Sequence, residues 1–417
     1  MLTRERNWAG NYTYGASTIH HPRSMDALCE IVARAPKLHA LGSRHCFNDI
    51  ADSGELVSLD GLAGEMEIDR KAGTVTVSGG MRYGDLAREL VPEGLALHNM
   101  ASLPHISVAG TIATATHGSG DANGNLATAV AALELVTSDG ELLKTSRGDD
   151  DFAGMVVGLG ALGVVTRVTL DVEPSYRVRQ EVFEDLSWDV FYDQFDEVMS
   201  SAYSVSVFQD YGATVGSVWM KSRVDPENPA PVWDEFLGAR AAIRHRHPMA
   251  TLTGENCTEQ LGVPGLWADR LPHFRMDATP ASGDEIQAEY MVPRRFAIPA
   301  IDALRAREPE IRPHLLISEV RTVAADDLWL STAYGTETVC LHFSWKPDQA
   351  AVDRILPVVE AALAPFDARP HWGKAFAMGA RELEARYERL PEFRRLAERL
   401  DPRGAFRNDF LDRHIFG

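Results

Sequence analysis

Cysteine is scarce in this chain. Its four cysteines (Cys29, Cys46, Cys257 and Cys340) are scattered over 417 residues with no C-x-x-C pair, so neither a disulfide framework nor a thiolate zinc site is expected. No run approaches the roughly 18 apolar residues a membrane span needs. The first eight residues, Met1 to Trp8, contain no apolar core of a signal peptide, so a reducing cytoplasm is the expected compartment. Positive charge is also in short supply. Against 60 acidic residues there are 41 basic ones, a formal charge of −19. That argues against nucleic acid and anionic membranes as partners, since both reward basic patches. H-E-x-x-H, an EF-hand-like loop and a G-x-S-x-G elbow are all missing, and the densest histidine cluster, Arg244-His245-Arg246-His247, places ligand candidates beside cations. Metal-dependent and serine hydrolases are therefore poor readings, and no metal is expected. Internal repeats and low-complexity tracts are absent too.

What is present suits an enclosed site. The length predicts two or three domain-sized units, and 45% apolar with 24% charged residues is ordinary for a soluble enzyme. Ser24 can cap a helix over 24–35, with Leu28, Ile31 and Val32 on one face. Residues 65–68 and 74–77 read as a hairpin, Asp85 to Leu90 as a helix, and Ser138-Asp139-Gly140 as the turn between strands 133–136 and 141–144. Short strands and helices thus mix in α+β style over the first 175 residues.

Three stretches there bear on a ligand. Leu41-Gly42-Ser43-Arg44-His45-Cys46-Phe47-Asn48 follows a short strand. Its glycine, hydroxyl and arginine suit an anion such as a diphosphate, and His45 beside an electron-poor ring could become a covalent tether. A structural turn with a solvated histidine is the plainer alternative. Ser107 to Gly120 is built of small and hydroxyl residues, either a loop wrapped around a flat polar cofactor or a small-residue helix packed on a sheet. Gly158-Leu159-Gly160-Ala161-Leu162-Gly163 matches G-x-G-x-x-G, but the next nine residues, Val164 to Val172, alternate as a strand where a dinucleotide site needs a helix. NAD is not expected.

Beyond Pro174 the texture changes, with strands predicted at 204–208, 217–220, 315–321 and 338–345. In the last two, Glu319 shares a face with Arg321, and Cys340 shares one with His342 and Ser344, while Leu341, Phe343 and Trp345 point to a core. Such faces line a polar pocket or meet solvent, and the apolar context favours the pocket. Residues 224–232 read as a Pro-rich loop. Near the end, 382–400 is helical in pattern with a break at Pro391.

Taken in order, these segments resemble the vanillyl-alcohol-oxidase superfamily of flavoproteins, and within it the alditol (xylitol) oxidases. The resemblance spans nearly the whole chain: Asn7-Trp8-Ala9-Gly10-Asn11, Leu41-Gly42-Ser43-x-His45-x-Phe47-Asn48, Asn99 to Gly110, Thr116-His117-Gly118-Ser119-Gly120, Gly160 to Thr166, Asn256 to Gln260, Glu319 to Asp326, and His371-Trp372-Gly373-Lys374. The tail Asp401-Pro402-x-Gly404-x-Phe406-x-Asn408 is similar to the wider aldonolactone-oxidase group. The resemblance implies a two-subdomain FAD-binding (PCMH-type) domain over 1–175, a substrate domain with an antiparallel sheet flanked by helices over 176–375, and a segment 376–417 returning to the first domain. It implies FAD attached covalently through His45 and cradled by Gly42, Ser43, Arg44, Ser102, Ser107, Gly110, Thr114, His117, Gly118, Gly163 and Val165. For substrate it implies Ser102, Glu319, Arg321, His342, Ser344 and Lys374. Ser344 departs from the threonine expected there, and Cys46 stands where serine would be unremarkable.

The implied reaction is oxidation of a primary alcohol of a polyol to the aldehyde, with O2 reduced to H2O2 by a monomeric enzyme. The alternative is an aldonolactone oxidase or dehydrogenase using another acceptor. Arg321 and Lys374 are expected to favour alkoxide character, Glu319 to accept hydroxyl hydrogen bonds, and His342 to take the proton or bind a hydroxyl. A structural Glu319–Arg321 pair, a core His342 and a surface Lys374 are the competing readings. One carboxylate against two cations points to a neutral substrate.

Overall fold

The structure, a computed structural model, describes residues 5–62, 64, 66–225, 232–278 and 284–417. Residues 1–4, Glu65 of the predicted hairpin and 226–231 of the Pro-rich loop lie outside them. Local signals in the first part act as expected. The Ser24 hydroxyl accepts from the Ala27 amide and opens helix Met25–Arg34, which buries Leu28 and Val32. Strands Thr18–His20, Glu55–Val57 and Leu38–Ala40 pair in parallel with Glu55–Val57 in the centre. A second, antiparallel sheet runs in the order Glu67–Asp69, Thr74–Ser78, Val164–Asp171, Val130–Val136, Leu142–Ser146. Strand Val164–Asp171 alternates buried and half-buried along its length, which is the period-two pattern that excluded a dinucleotide helix. Of the two readings offered for the hydroxyl-rich stretch, the small-residue helix is what forms over its first half. Val108–Ala113 is a short helix held against Gly79 by an Ala109 N–H to carbonyl bond of 3.1 Å, and the residues after it turn toward a third, larger sheet.

That sheet has ten strands, antiparallel throughout. Arg177–Leu186, Val215–Val224, Ser204–Gln209, Leu315–Val323, Thr338–Trp345 and Ile286–Pro293 lie side by side in that order. Helices Ala297–Arg305 and Gln349–Leu363 flank it. Trp219, Tyr290, Phe343 and Trp345 are fully buried within it. The two parts are joined where the Gly120 amide donates to the Thr322 carbonyl (3.0 Å). The tail packs on the first part: Leu38 N–H donates to Ala405 (2.8 Å), and Asn408 Nδ2 donates to the Ile50 and Asp52 carbonyls (2.9 and 2.7 Å). The break expected at Pro391 falls earlier, between helices Ala380–Glu384 and Leu390–Leu400. Pro391 sits in the first turn of the second helix, where its missing N–H costs nothing. Among the described residues no helix is long and apolar enough to cross a membrane.

Candidate active site

Both parts contribute to one cavity of about 430 Å³. At its first end lies the loop after strand Leu38–Ala40. Close packing dictates its glycine, because a Cβ at Gly42 would sit 2.6 Å from Ser107 Oγ. The Ser43 hydroxyl accepts from the Ser107 amide (3.0 Å), tying this loop to the hydroxyl-rich helix. His45 stacks on Trp8 with ring centroids 5.5 Å apart and planes 17° from parallel. Neither of its ring nitrogens makes a well-formed hydrogen bond, although both are buried. Burial pushes its pKa down to about 4, so the imidazole is neutral and nucleophilic. The neighbouring Cys46 thiol is pushed up to about 12 by burial, so it has little thiolate character.

At the second end, sheet register does the positioning. Glu319 pairs with His342, and His342 pairs with Glu289 on the next strand, so three ionisable side chains stand abreast. Glu289 is the hub. Its carboxylate takes Arg321 Nη2 at 2.8 Å and His117 Nε2 at 3.1 Å, and it also holds Lys374 Nζ and the Cys340 thiol. Arg321 Nε lies 3.4 Å from Glu319 Oε1, and its Nη1 reaches Ser102 Oγ and the Gly118 carbonyl at 3.5 Å. Lys374 Nζ lies 2.9 Å from His342 Nδ1, whose Nε2 faces Ser344 Oγ at 3.2 Å. Burial alone would raise both carboxyls. Lys374 and Arg321 outweigh it at Glu289, and Arg321 with the His273 hydrogen bond outweighs it at Glu319, so both stay well below the usual carboxylate range. Burial, aided by the charge of Lys374, pushes His342 down to about 4. Nδ1 faces the Lys374 ammonium at 2.9 Å and the Glu289 carboxylate at 3.5 Å, and the closer donor favours the tautomer with the ring proton on Nε2.

Glu319, Arg321, His342, Ser344, Lys374 and Ser102 therefore converge on the cavity, as do Gly42, Ser43, Arg44, His45, Ser107, Gly110, Thr114, His117, Gly163 and Val165. The Arg44 guanidinium lines the cavity while its Nε pairs with Glu5 Oε1 at 2.8 Å. Two expectations need correction. Gly118 does not line the cavity; it is small because a Cβ would meet Asn99 and Met100 oxygens at 2.5 Å. The charge inventory of one carboxylate is also wrong, because the buried Glu285 and Glu289 line the cavity as well, making three carboxylates against the two cations Arg321 and Lys374. Sequence reasoning missed Glu289, His273 and His39. Glu289 had a signal, a lone charge in the alternating strand Ile286–Pro293, whose other face is Ile286, Ala288, Tyr290 and Val292. His273 lies outside any regular element and had none.

The geometry of His117, Glu289 and His371 would admit a cation, with ligand atoms within 4.8 Å of one another. Arg321 and Lys374 already neutralise that carboxylate, so an added cation would be repelled.

Known proteins are similar to this chain in sequence and in fold. Residues 16–146 match the family model of an FAD binding domain, and 280–414 match that of D-arabinono-1,4-lactone oxidase. An alditol oxidase from a Streptomyces species is 48% identical over 99% of both chains. The chain belongs to the aldonolactone and alditol oxidase family of flavoproteins. A more distant member, the L-gulono-1,4-lactone dehydrogenase of Mycobacterium tuberculosis, is 31% identical over 98% of both chains. The fold alone is shared with cholesterol oxidase from B. sterolicum, at 14% identity, a TM-score of 0.78, and coverage of 99% of this chain and 96% of that one. The family cofactor is FAD, and this cavity fits it. His39, His45 and Ser107 all line the cavity and all carry buried polar atoms without a protein partner. An elongated group rich in acceptors and donors would satisfy them.

Proposed function

We propose that this flavoprotein oxidises a primary hydroxyl of a polyol such as xylitol or sorbitol to the aldehyde, with O2 reduced to H2O2. Residues 1–175 and 376–417 would hold FAD, tethered through His45, and 176–375 the substrate. FAD, when bound, accepts a hydride from the substrate carbon and delivers the electrons to O2. The observation that carries the reading is the charge balance of the second end. Glu289 and Glu319 face Arg321 and Lys374 in one buried cluster, with His342 neutral. With the buried Glu285 beside them the carboxylates outnumber these two cations, so no positive surplus remains to hold an anionic substrate, while several donors and acceptors remain for successive hydroxyls. A site built that way rejects analogues lacking those hydroxyls by large factors. The alditol oxidase at 48% identity supports the same substrate class.

Each side chain then has a task. Lys374 and Arg321 favour alkoxide character on the reacting oxygen. Glu289 fixes both cations, so they meet the substrate already oriented. Glu319 stays ionised and accepts from a hydroxyl. His342 binds rather than removes a proton, because Lys374 occupies its Nδ1 and Nε2 carries the hydrogen that faces Ser344. His45, neutral and unpartnered, is the attachment point.

Anaerobic addition of a polyol and lactone panel to the yellow holoprotein tests this. Polyols should bleach it, and in air each polyol oxidised should yield one H2O2. Bleaching by lactones alone would overturn the substrate class, and turnover without peroxide would make it a dehydrogenase. Acid-denatured protein should keep its colour, whereas His45→Ala should release it all.

A further inference from the structure

Two buried side chains have no part in the reaction so far. Lys221, in strand Val215–Val224, is 1% exposed and His273 is 5% exposed. Lys221 Nζ donates to the Leu271 carbonyl and lies 3.1 Å from His273 Nδ1. The other ring nitrogen, His273 Nε2, lies 3.1 Å from Glu319 Oε1 and 3.2 Å from Ser206 Oγ. An amine at this depth is costly to desolvate. Its partners show what it does there. An ammonium only donates, so Nδ1 must accept. An ionised carboxylate only accepts, so Nε2 must carry the hydrogen. Both ends select one tautomer. The His273 and Phe274 amides also donate to the Ser102 carbonyl, at 3.1 and 3.2 Å, so the same segment fixes a second residue of the pocket. Lys374 and His342 repeat the device, with lysine at Nδ1 and Nε2 turned to a pocket residue.

We propose that Lys221 and His273 are a positioning pair for the polyol site: Lys221 holds His273 as the Nε2–H tautomer, and His273 holds Glu319. With Oε1 engaged by His273 and Arg321, Oε2 has no hydrogen bond among the described residues and faces a substrate hydroxyl. Burial pushes His273 down to about 4 and Lys221 down to about 7. The imidazole is thus neutral at working pH, and an amine that lost its charge would still keep N–H groups to donate. The proposal rests on the polyol reading above.

Steady-state kinetics of the holoenzyme tests it, with Lys221→Met, His273→Leu and His273→Gln. Freeing Glu319 should raise KM for xylitol about tenfold in Lys221→Met and His273→Leu, since one hydrogen bond to a charged group is at stake. kcat should stay within about twofold and flavin content should not change. His273→Gln places an amide N–H where Nε2–H stood and should recover most of the KM. Unchanged KM in the first two, or His273→Gln as impaired as His273→Leu, would overturn the pair. Should a variant fail to fold, 15N-histidine spectra of the unaltered holoprotein decide, because an Nδ1–H signal for His273 would sink the proposal. A wild-type protein that turns over no polyol would instead defeat the functional reading, and the tautomer would still be measurable.

Discussion

Glu289→Gln keeps the shape of the side chain at the hub of the site but removes the charge that Arg321 and Lys374 share. Breaking a buried ion pair from one side leaves its partner uncompensated, at a cost of about 3–5 kcal/mol. Thermal unfolding of the variant should therefore show a clearly lower midpoint. kcat should fall with it, because both cations lose their common anchor. Wild-type stability and turnover together would remove Glu289 from the argument. At this scale the sequence was informative where charge sits on an alternating strand. Glu319, Arg321, His342 and Ser344 share strand faces that can be counted off by twos. Glu289 obeys the same rule, but its meaning depends on register with two other strands, which no local pattern contains. His273 lies outside regular structure, and only the folded chain brings it to Glu319.

Among the elements, the turn Gly158 to Gly163 is the most instructive. Its glycines serve close packing rather than a helix N-terminus. Gly160 has φ +76° and a Cβ there would lie 2.1 Å from His39 Cε1, while Gly163 has φ +150°. Gly160→Ala should push His39 into the cofactor cavity and lower flavin content, read as the ratio of visible to ultraviolet absorbance. His39→Ala in the same chain should restore part of it, and an unchanged ratio in the single variant would refute the contact. The strand that follows was legible because its β-branched residues alternate. The strand Ile286–Pro293 follows a turn-type cluster, Pro280-Ala281-Ser282-Gly283-Asp284, but Gln287 and Glu289 interrupt the apolar run that would have marked it as a buried strand. The helix over Leu390–Leu400 was legible in its periodicity, but its start was displaced because proline marks the first turn of a helix as readily as a break.

For the whole molecule, several histidines buried as neutral rings set the acid limb of stability. Burial pushes His39, His273 and His342 each down to about 4, against about 6.5 in an unfolded chain. Between those values the unfolded state binds more protons, so stability rises with pH there and is lost as pH falls from about 6.5 toward 4, by up to about 3 kcal/mol per ring. The carboxylates Glu289 and Glu319, held low, contribute above about 4.5 and lose that contribution only at lower pH. Burial raises the Asp326 carboxyl to about 6, so it takes up a proton in the same window and offsets part of the loss; with more rings than raised carboxyls, unfolding midpoints should still drop between pH 7 and 5. A flat profile over that window would mean that the rings are not buried neutral. The cavity shared by both parts carries a consequence for biosynthesis. A cofactor that binds only the folded chain stabilises it by mass action, so the unloaded form is the one that opens and meets proteases first. Flavin supply in the cell then governs how much of this protein accumulates, as well as how much of it is active.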